Sequence, residues 1–154
     1  MRNIWEEART LSIQTGADIV GGFDVGFDKA IPEETKDMLM DFVYWVEDRY
    51  ALPVTLWVDF KYRHYLVDEN KKRVGFKFYW ADFNTFPVFE NFDDLPVIEL
   101  PVRTEKSGMD EILTSFIEAI TYYFAWLSNL DVRTFESDKA LTEAILKDYK
   151  TRGE

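Results

Sequence analysis

The sequence predicts an α+β fold with a supporting helix, a small twisted sheet of about four strands that is mainly antiparallel or mixed, and two C-terminal helices. With 154 residues, 47% of them hydrophobic, the chain can build one well-packed domain and is too short for two of ordinary size. Apolar residues recur at three- and four-residue steps between positions 107 and 130, which is the period of a helix. Apolar and polar residues alternate through 54–60 and again through 74–80, which is the period of a half-buried strand.

We expect a single domain over residues 1–154, with an N-terminal helix and a glycine-rich loop in 1–30 and the core in 31–150. Residues 4–15 contain helix formers. Three glycines follow between positions 21 and 26, and glycines at that density predict a turn or loop.

That glycine-rich loop offers little for ligand chemistry. A phosphate cradle needs a strand before it, a helix start after it and a Lys or Ser/Thr at a set position, and the segment GGFDVG has none of these. Asp24 and Asp28 could bind a hard cation, although a solvated loop explains them more simply.

The supporting helix is predicted over residues 32–50. Pro32 suits a first helical turn, and the two glutamates after it favour the positive end of a helix. Its apolar stripe consists of Leu39, Phe42, Val43 and Val46. Pro53 ends the helix.

The sheet is predicted to follow directly. After the alternating run at 54–60, a second extended run covers 62–67, the polar residues 68–72 predict a hairpin loop, and the alternation resumes at Val74. The pattern leaves open whether 54–67 is one bulged strand or two.

An aromatic and acidic connection leads to the last strand. It runs from Ala81 to Leu95 and is long for a compact domain, so we expect it to cover part of the molecule. Residues 97–102 then form a short strand with Pro96 before it and Pro101 within it. Since proline cannot complete an interior ladder, this strand is expected at a sheet edge.

Two helices end the chain. In the first, over 107–130, Ser107 and Asp110 suggest a capped start, and Glu118 stands inside an otherwise apolar stretch. The stripe expected to face the core comprises Met109, Ile112, Leu113, Phe116, Ile117, Ile120, Phe124 and Leu127. The second, over 137–149, is expected to cover one face with Ala140, Leu141, Ala144 and Ile145.

Charge and composition exclude several function classes. The chain has 18 Lys+Arg against 29 Asp+Glu, a formal charge of −11, so nucleic acid and anionic lipid are disfavoured and a basic or neutral partner is favoured. No apolar run is long enough to span a membrane, and the first residues do not resemble a leader peptide. The absence of cysteine rules out disulfides and thiolate chemistry and favours a cytoplasmic location.

Few residues suit catalysis. His64 is the one histidine, and no serine signature accompanies it, so an isolated surface or core histidine is the better interpretation. With no cysteine, a zinc site lacks its usual ligands, and no cofactor is expected. Burial in its apolar helix would raise the pKa of Glu118, which makes it a candidate acid. The alternative is that Glu118 lies on the helix flank or hydrogen-bonds to Tyr122.

The order of elements and the segment IEAITYYFAW, residues 117–126, resemble the compact zincin-like metallopeptidases. In that family the corresponding helix carries His-Glu-x-x-His, followed by aromatic residues. Glu118 falls on the family's general base, Ile117 and Thr121 fall on its zinc-binding histidines, and Leu141 falls near the third ligand, with Glu143 two residues away. The resemblance implies a degenerate member that binds no metal, because isoleucine donates no lone pair and a threonine hydroxyl is a poor zinc ligand.

The leading hypothesis is therefore a catalytically inactive zincin-like scaffold that binds a protein or peptide partner, for example by strand addition at the predicted edge. The expected binding cleft comprises Glu118, Thr121, Tyr122, Ile98, Leu100, Phe86 and Phe89. Two alternatives remain open. One is an enzyme that uses Glu118 and other carboxylates with a hard cation, and the other is an acidic immunity- or inhibitor-type protein that masks a basic partner.

Overall fold

The computed structural model describes residues 3–15, 22–50, 52, 54–62, 66–67, 73–74, 76–82, 94–102, 108–128, 130 and 135–153. Within these ranges the helices are α1 (Ile4–Thr15), α2 (Glu33–Arg49), α3 (Met109–Leu127) and α4 (Lys139–Lys150). The strands are β1 (Phe23–Phe27), β2 (Leu56–Tyr62), β3 (Leu66–Val67), β4 (Arg73–Val74), β5 (Lys77–Asp82) and β6 (Asp94–Val102). The predicted helices are confirmed, as is the α+β class.

The main sheet has the strand order β1-β2-β6-β5. β1, β2 and β6 run parallel, and β5 lies antiparallel along the outer side of β6. The expected sheet of about four strands, mainly antiparallel or mixed, is thus corrected to a parallel core of three strands with an antiparallel addition. Helix α2 supplies the crossover that a parallel β1–β2 pair requires. A two-residue period identifies strands but carries no information on their direction.

Strand β1 corrects the prediction of a glycine-rich loop. Phe23 to Phe27 pair in register with Leu56 to Phe60 of β2, so the N-terminal segment belongs to the core sheet. Gly22 has a φ of 76°, its N–H donates to the Leu52 carbonyl at 3.0 Å, and its carbonyl accepts from Leu56 at the same distance. The glycines therefore allow close pairing of the strand rather than a loop.

The prolines of β6 predicted a position at the sheet edge. This prediction is wrong, because β6 lies between β2 and β5. β5 pairs with residues 94–99 and β2 pairs with residues 97–102, so only Val97 to Glu99 are paired on both sides. Pro96 faces β5 alone and Pro101 faces β2 alone. Each proline lies where one side of the strand is unpaired, which satisfies the rule on proline without an edge strand. Both sides of β6 are occupied at Val97 to Glu99, so strand addition is not available there.

The core lies between the sheet and the helices. Leu56, Val58 and Phe60 of β2 are buried, as the alternation predicts, and the intervening residues are half-buried. The predicted stripe of α2 is confirmed: its buried residues are Leu39, Phe42, Val43 and Val46. The ring of Phe116 on α3 lies 5.4 Å from those of Phe42 and Phe60, which joins α3 to α2 and β2.

Two helix details differ from expectation. The N-cap of α3 is Gly108, with no side-chain capping bond, and Ser107 lies outside the described residues. In α4 the buried residues are Thr142, Ile145 and Tyr149, whereas Ala140 and Ala144 are exposed and Leu141 is half-buried. The ring of Tyr149 lies 4.9 Å from that of Phe42 on α2. The buried residues of α4 therefore face the core.

The predicted hairpin is confirmed by the pairing of Leu66 with Val74 and of Val67 with Arg73. Because β2 and β3 belong to different sheets, segment 54–67 contains two strands. The loop 68–72, His64 and residues 83–93 of the aromatic connection, with Phe86 and Phe89, lie outside the described residues. The ends of the predicted connection belong to strands instead, since Ala81 of β5 pairs with Leu95 of β6. No helix in the described ranges is long and apolar enough to cross a membrane.

We predict that Gly22→Ala lowers the free energy of unfolding by about 1 kcal/mol or more. Its φ is in the left-handed region, and an added Cβ would lie 2.8 Å from Glu47 Oε2. Gly108→Ser is the control, since Gly108 has open space around it and serine suits an N-cap. Urea denaturation measures both, and equal effects of the two substitutions would contradict the assignment.

Candidate functional site

Glu118 and Tyr122 share one face of α3. Glu118 is half-buried, and this burial raises its pKa above the ordinary value. The Tyr122 ring contacts Phe76 at 5.4 Å and Phe135 at 5.2 Å, and its hydroxyl donates to the Phe135 carbonyl at 3.2 Å. The Tyr122 hydroxyl therefore donates its hydrogen bond to a backbone carbonyl and not to Glu118. Within the described ranges Glu118 has no hydrogen bond or ion pair.

Ile117 and Thr121 lie in the core, not in a cleft. The Thr121 hydroxyl donates to the Ile117 carbonyl at 2.7 Å and accepts from the Trp5 indole N–H at 2.9 Å. Trp5 itself is completely buried, and its ring meets those of Tyr50 and Phe124 edge-on at 5.0 and 5.1 Å. This helix face is closed by α1.

The other cleft candidates are also accounted for. Ile98 and Leu100 are fully buried on the helix-covered face of β6, and Thr121 is 2% exposed, so these three residues cannot line an open cleft. Phe86 and Phe89 are outside the described residues. Of the predicted set, Glu118 and Tyr122 are the described residues that retain partial exposure.

Trp5 also reaches the position that the resemblance assigns to the third zinc ligand. A cavity of about 380 Å³ lies between the start of α1, the end of α2 and α4, and both Trp5 and Leu141 line it. Glu143 is on the exposed face of α4. The donors do not fit zinc, because isoleucine and leucine have no lone pair and the Thr121 hydroxyl is already bonded as donor and as acceptor.

Asp28 of the N-terminal segment has a structural role, and Asp24 is exposed. Asp28 accepts hydrogen bonds from the backbone N–H groups of Ala30, at 3.0 Å, and Tyr62, at 3.3 Å. The bond from Ala30 is the main cause of a lowered pKa of Asp28. In the part of the chain that is described, no three His, Cys, Asp or Glu side chains are close enough to hold a metal ion.

A surface that the sequence reading missed lies on α2. We call it the α2 face: the exposed residues Glu34, Asp37, Met38, Asp41, Tyr44 and Asp48. Met38 is 44% exposed and Tyr44 is 59% exposed, and they are the exposed large hydrophobic residues of the described ranges. The spacing of the α2 face is helical, so the signal was present in the sequence as the complement of the buried stripe.

A cavity of about 490 Å³ opens beside the α2 face, between α2, the start of α3 and the end of α4. Its wall comprises Asp37, Met38, Asp41, Met109, Asp110, Leu113, Tyr149, Lys150 and Arg152. Met38, Met109 and Leu113 give it an apolar side. The remaining wall is polar, with charged side chains and the hydroxyl of Tyr149.

Both basic groups of this cavity are paired. Arg152 donates to Asp41 Oδ2 at 2.6 Å, and its guanidinium lies 3.9 Å from the centre of the Tyr149 ring. Tyr149 donates to the same oxygen at 2.5 Å, and burial together with this carboxylate raises the pKa of Tyr149 to about 12. Lys150 pairs with Asp110 at 2.6 Å. Asp37, at the rim, has no such partner in the described ranges.

Comparison with known proteins adds no identity: no family model, no curated protein and no solved structure matches this chain. The zincin-like resemblance therefore stays a prediction from the sequence.

We predict that Thr121→Val lowers the free energy of unfolding by about 1–3 kcal/mol, because it leaves the buried indole N–H of Trp5 without an acceptor. Thr114→Val on the same helix is the matched control. Its hydroxyl also bonds the carbonyl four residues earlier, at 2.7 Å, but makes no tertiary contact of this kind and should change stability by less than about 0.5 kcal/mol. Denaturation curves that show equal losses would contradict a buried bond to Trp5.

We predict that Glu118→Gln stabilises the fold at neutral pH. A folded-state pKa above the unfolded value of 4.5 means that the charged form is disfavoured in the folded state. This penalty is fully present above the folded pKa and absent below the unfolded one. The gain should therefore shrink as pH falls towards about 4. Urea denaturation at both pH values measures it, with the exposed Glu143→Gln as control; a gain independent of pH would contradict the burial effect.

Proposed function

We propose that this chain is a catalytically inactive, zincin-like scaffold that acts by binding a protein partner. The observation that carries the proposal is the 2.9 Å hydrogen bond between the Trp5 indole and Thr121. With this bond, the indole ring of Trp5 on the N-terminal helix α1 covers one face of α3. A zincin-like enzyme needs its two metal-binding histidines on that face.

The order of the elements supports the scaffold. Helix α2 links β1 to β2, β5 lies antiparallel at one edge of the sheet, β6 follows it in the chain, and α3 carries Glu118 after β6. The resemblance implies a supporting helix, a sheet with an edge strand and then a glutamate-bearing helix, and β1 before α2 is an addition to that succession. The edge strands of the described sheet are β1 and β5, and β5 takes the place of β6 in the hypothesis.

The chemistry argues for binding rather than turnover. A glutamate acts as a general base on water when a metal or another group positions and polarises the reactants. Glu118 has no hydrogen-bonded partner in the described ranges, and it belongs to no group of three metal-ligating side chains there. Its raised pKa follows from burial and does not by itself indicate a reaction.

The alternative of an enzyme that uses Glu118 with a hard cation keeps one favourable observation, the half-buried acid itself. It predicts an ion held at stoichiometric level. The alternative of an acidic inhibitor-type protein is a special case of the binding proposal, and the net charge of −11 favours it.

We predict that the wild-type chain, saturated with Zn²⁺ and then dialysed, retains no stoichiometric zinc and does not hydrolyse fluorescently labelled casein. Elemental analysis and fluorescence release measure these two properties. A stoichiometric ion in the wild type, with hydrolysis that is lost in Glu118→Gln, would contradict the proposal and favour the enzyme.

A gain-of-binding variant tests the scaffold. Ile117→His, Thr121→His and Leu141→Glu together, with Trp5→Ala to clear space, should retain zinc at one ion per chain. The matched control omits Ile117→His and therefore has one ligand fewer, so it should lose zinc on dialysis. Circular dichroism establishes that both variants fold. Equal zinc loss from two folded variants would count against the zincin-like geometry.

A further inference from the structure

We propose that the α2 face, with the cavity beside it, is the docking surface for a basic protein partner, and that a Lys or Arg side chain of the partner enters the cavity. This inference rests on the proposed function and names the surface and the partner chemistry that it left open.

The α2 face combines exposed apolar groups with carboxylates. On a helix of 3.6 residues per turn, Met38 and Tyr44 lie at the two margins of one outward arc, and four carboxylates lie between them. Met38 is 44% exposed and Tyr44 is 59% exposed, so each margin offers apolar contact beside the carboxylates. The buried stripe of α2 occupies the opposite side of the helix.

Most of the carboxylates on this face are uncompensated. Asp41 is bound by Arg152 and Tyr149. Glu34, Asp37 and Asp48 have no ion pair or hydrogen bond in the described ranges. Three free negative charges on one helix face attract a cationic surface and repel an anionic one.

Charge also decides between the possible occupants. A second copy of the chain would bring another −11 charges towards the same acidic face, and nucleic acid or an anionic membrane would be repelled in the same way. A metal ion would need convergent oxygen donors, and the described residues contain no group of three. A basic protein surface is the occupant that satisfies both the apolar and the acidic part.

The cavity suits an extended cationic side chain. Met38, Met109 and Leu113 can contact an aliphatic stem, and the free carboxylate of Asp37 stands at the rim where the charged end would lie. Lysine and arginine bury their stems against apolar surface while keeping the charge at a polar boundary. The volume of about 490 Å³ is ample for one such side chain.

The test is a titration of the ¹⁵N-labelled full chain with a synthetic amphipathic peptide of lysine and leucine, followed by chemical-shift mapping. Shifts should concentrate on residues 34–48 and on the cavity wall, and the affinity should fall as salt increases. Asp37→Lys with Asp48→Lys should weaken binding by about tenfold or more. Asp24→Lys with Glu143→Lys makes the same charge change at exposed positions away from the α2 face and should weaken binding by about threefold at most.

The apolar contribution has its own pair of variants. Met38→Ala should weaken binding by about threefold to tenfold, and Met38→Leu, which keeps apolar volume at the cavity, should restore it. All of these positions are exposed, so circular dichroism should show unchanged folding.

The inference is overturned by shifts that map away from α2, by equal weakening from both charge-reversal pairs, by absence of binding at low salt, or by sedimentation that shows self-association through this face. Any of these results leaves the metal analysis of the wild type unaffected. Retained zinc with hydrolysis would instead remove the proposed function, whatever the peptide titration shows.

Discussion

The ring of Phe116 determines how α3 is oriented in this molecule. It lies 5.8 Å from the ring of Phe23 on β1 and 5.4 Å from those of Phe42 on α2 and Phe60 on β2. Because Phe116 contacts three elements and close-packed interiors tolerate little shift, α3 is fixed in one rotational orientation about its axis. That rotation turns Thr121 towards Trp5 and leaves Glu118 on the half-buried flank. The chemistry available on α3 is therefore a consequence of aromatic packing.

The same packing separates charge from the interior. Among the residues whose exposure the structure describes, the buried polar side chains are Thr121 and Thr142, and charged side chains are at least partly exposed, with Nε of Arg49 as a buried atom. Carboxylates in the first turn of a helix, such as Glu33 and Glu34 of α2, gain from the helix dipole, but this effect fades within that turn. Asp37 and Asp41 lie deeper in α2 and four residues apart, and Asp41 is compensated by Arg152. Asp37 has no such partner in the described ranges, which is consistent with its place on the proposed docking surface.

Local periodicity predicted the helices and most strands, but it could not predict how the strands associate. The stripe of α2 and the alternation in β2 follow from nearest neighbours on one element, whereas pairing of β6 with both β2 and β5 depends on residues far apart in the chain. The prolines of β6 wrongly predicted an edge strand. Each proline needs only one side of the strand to be unpaired, and β6 provides this because its two neighbours pair with different parts of it. The glycines near β1 predicted a loop, and this prediction was wrong because glycine occurs both in loops and where strands approach closely.

The site was predictable only as an anomaly. Glu118 stands out in an apolar helix, and its half-burial was foreseeable, but the partner of Thr121 is 116 residues away and could not be read from the helix. Because Trp5 occupies that face, the Thr121 hydroxyl accepts a hydrogen bond from its indole N–H. Opening this contact would leave a buried N–H unpaired, at a cost of about 1–3 kcal/mol. A face held shut by that penalty is poorly suited to exchange ligands. The α2 face needs no opening, because its apolar and acidic groups already meet solvent, which is why we propose this face and not that of Thr121 for recognition.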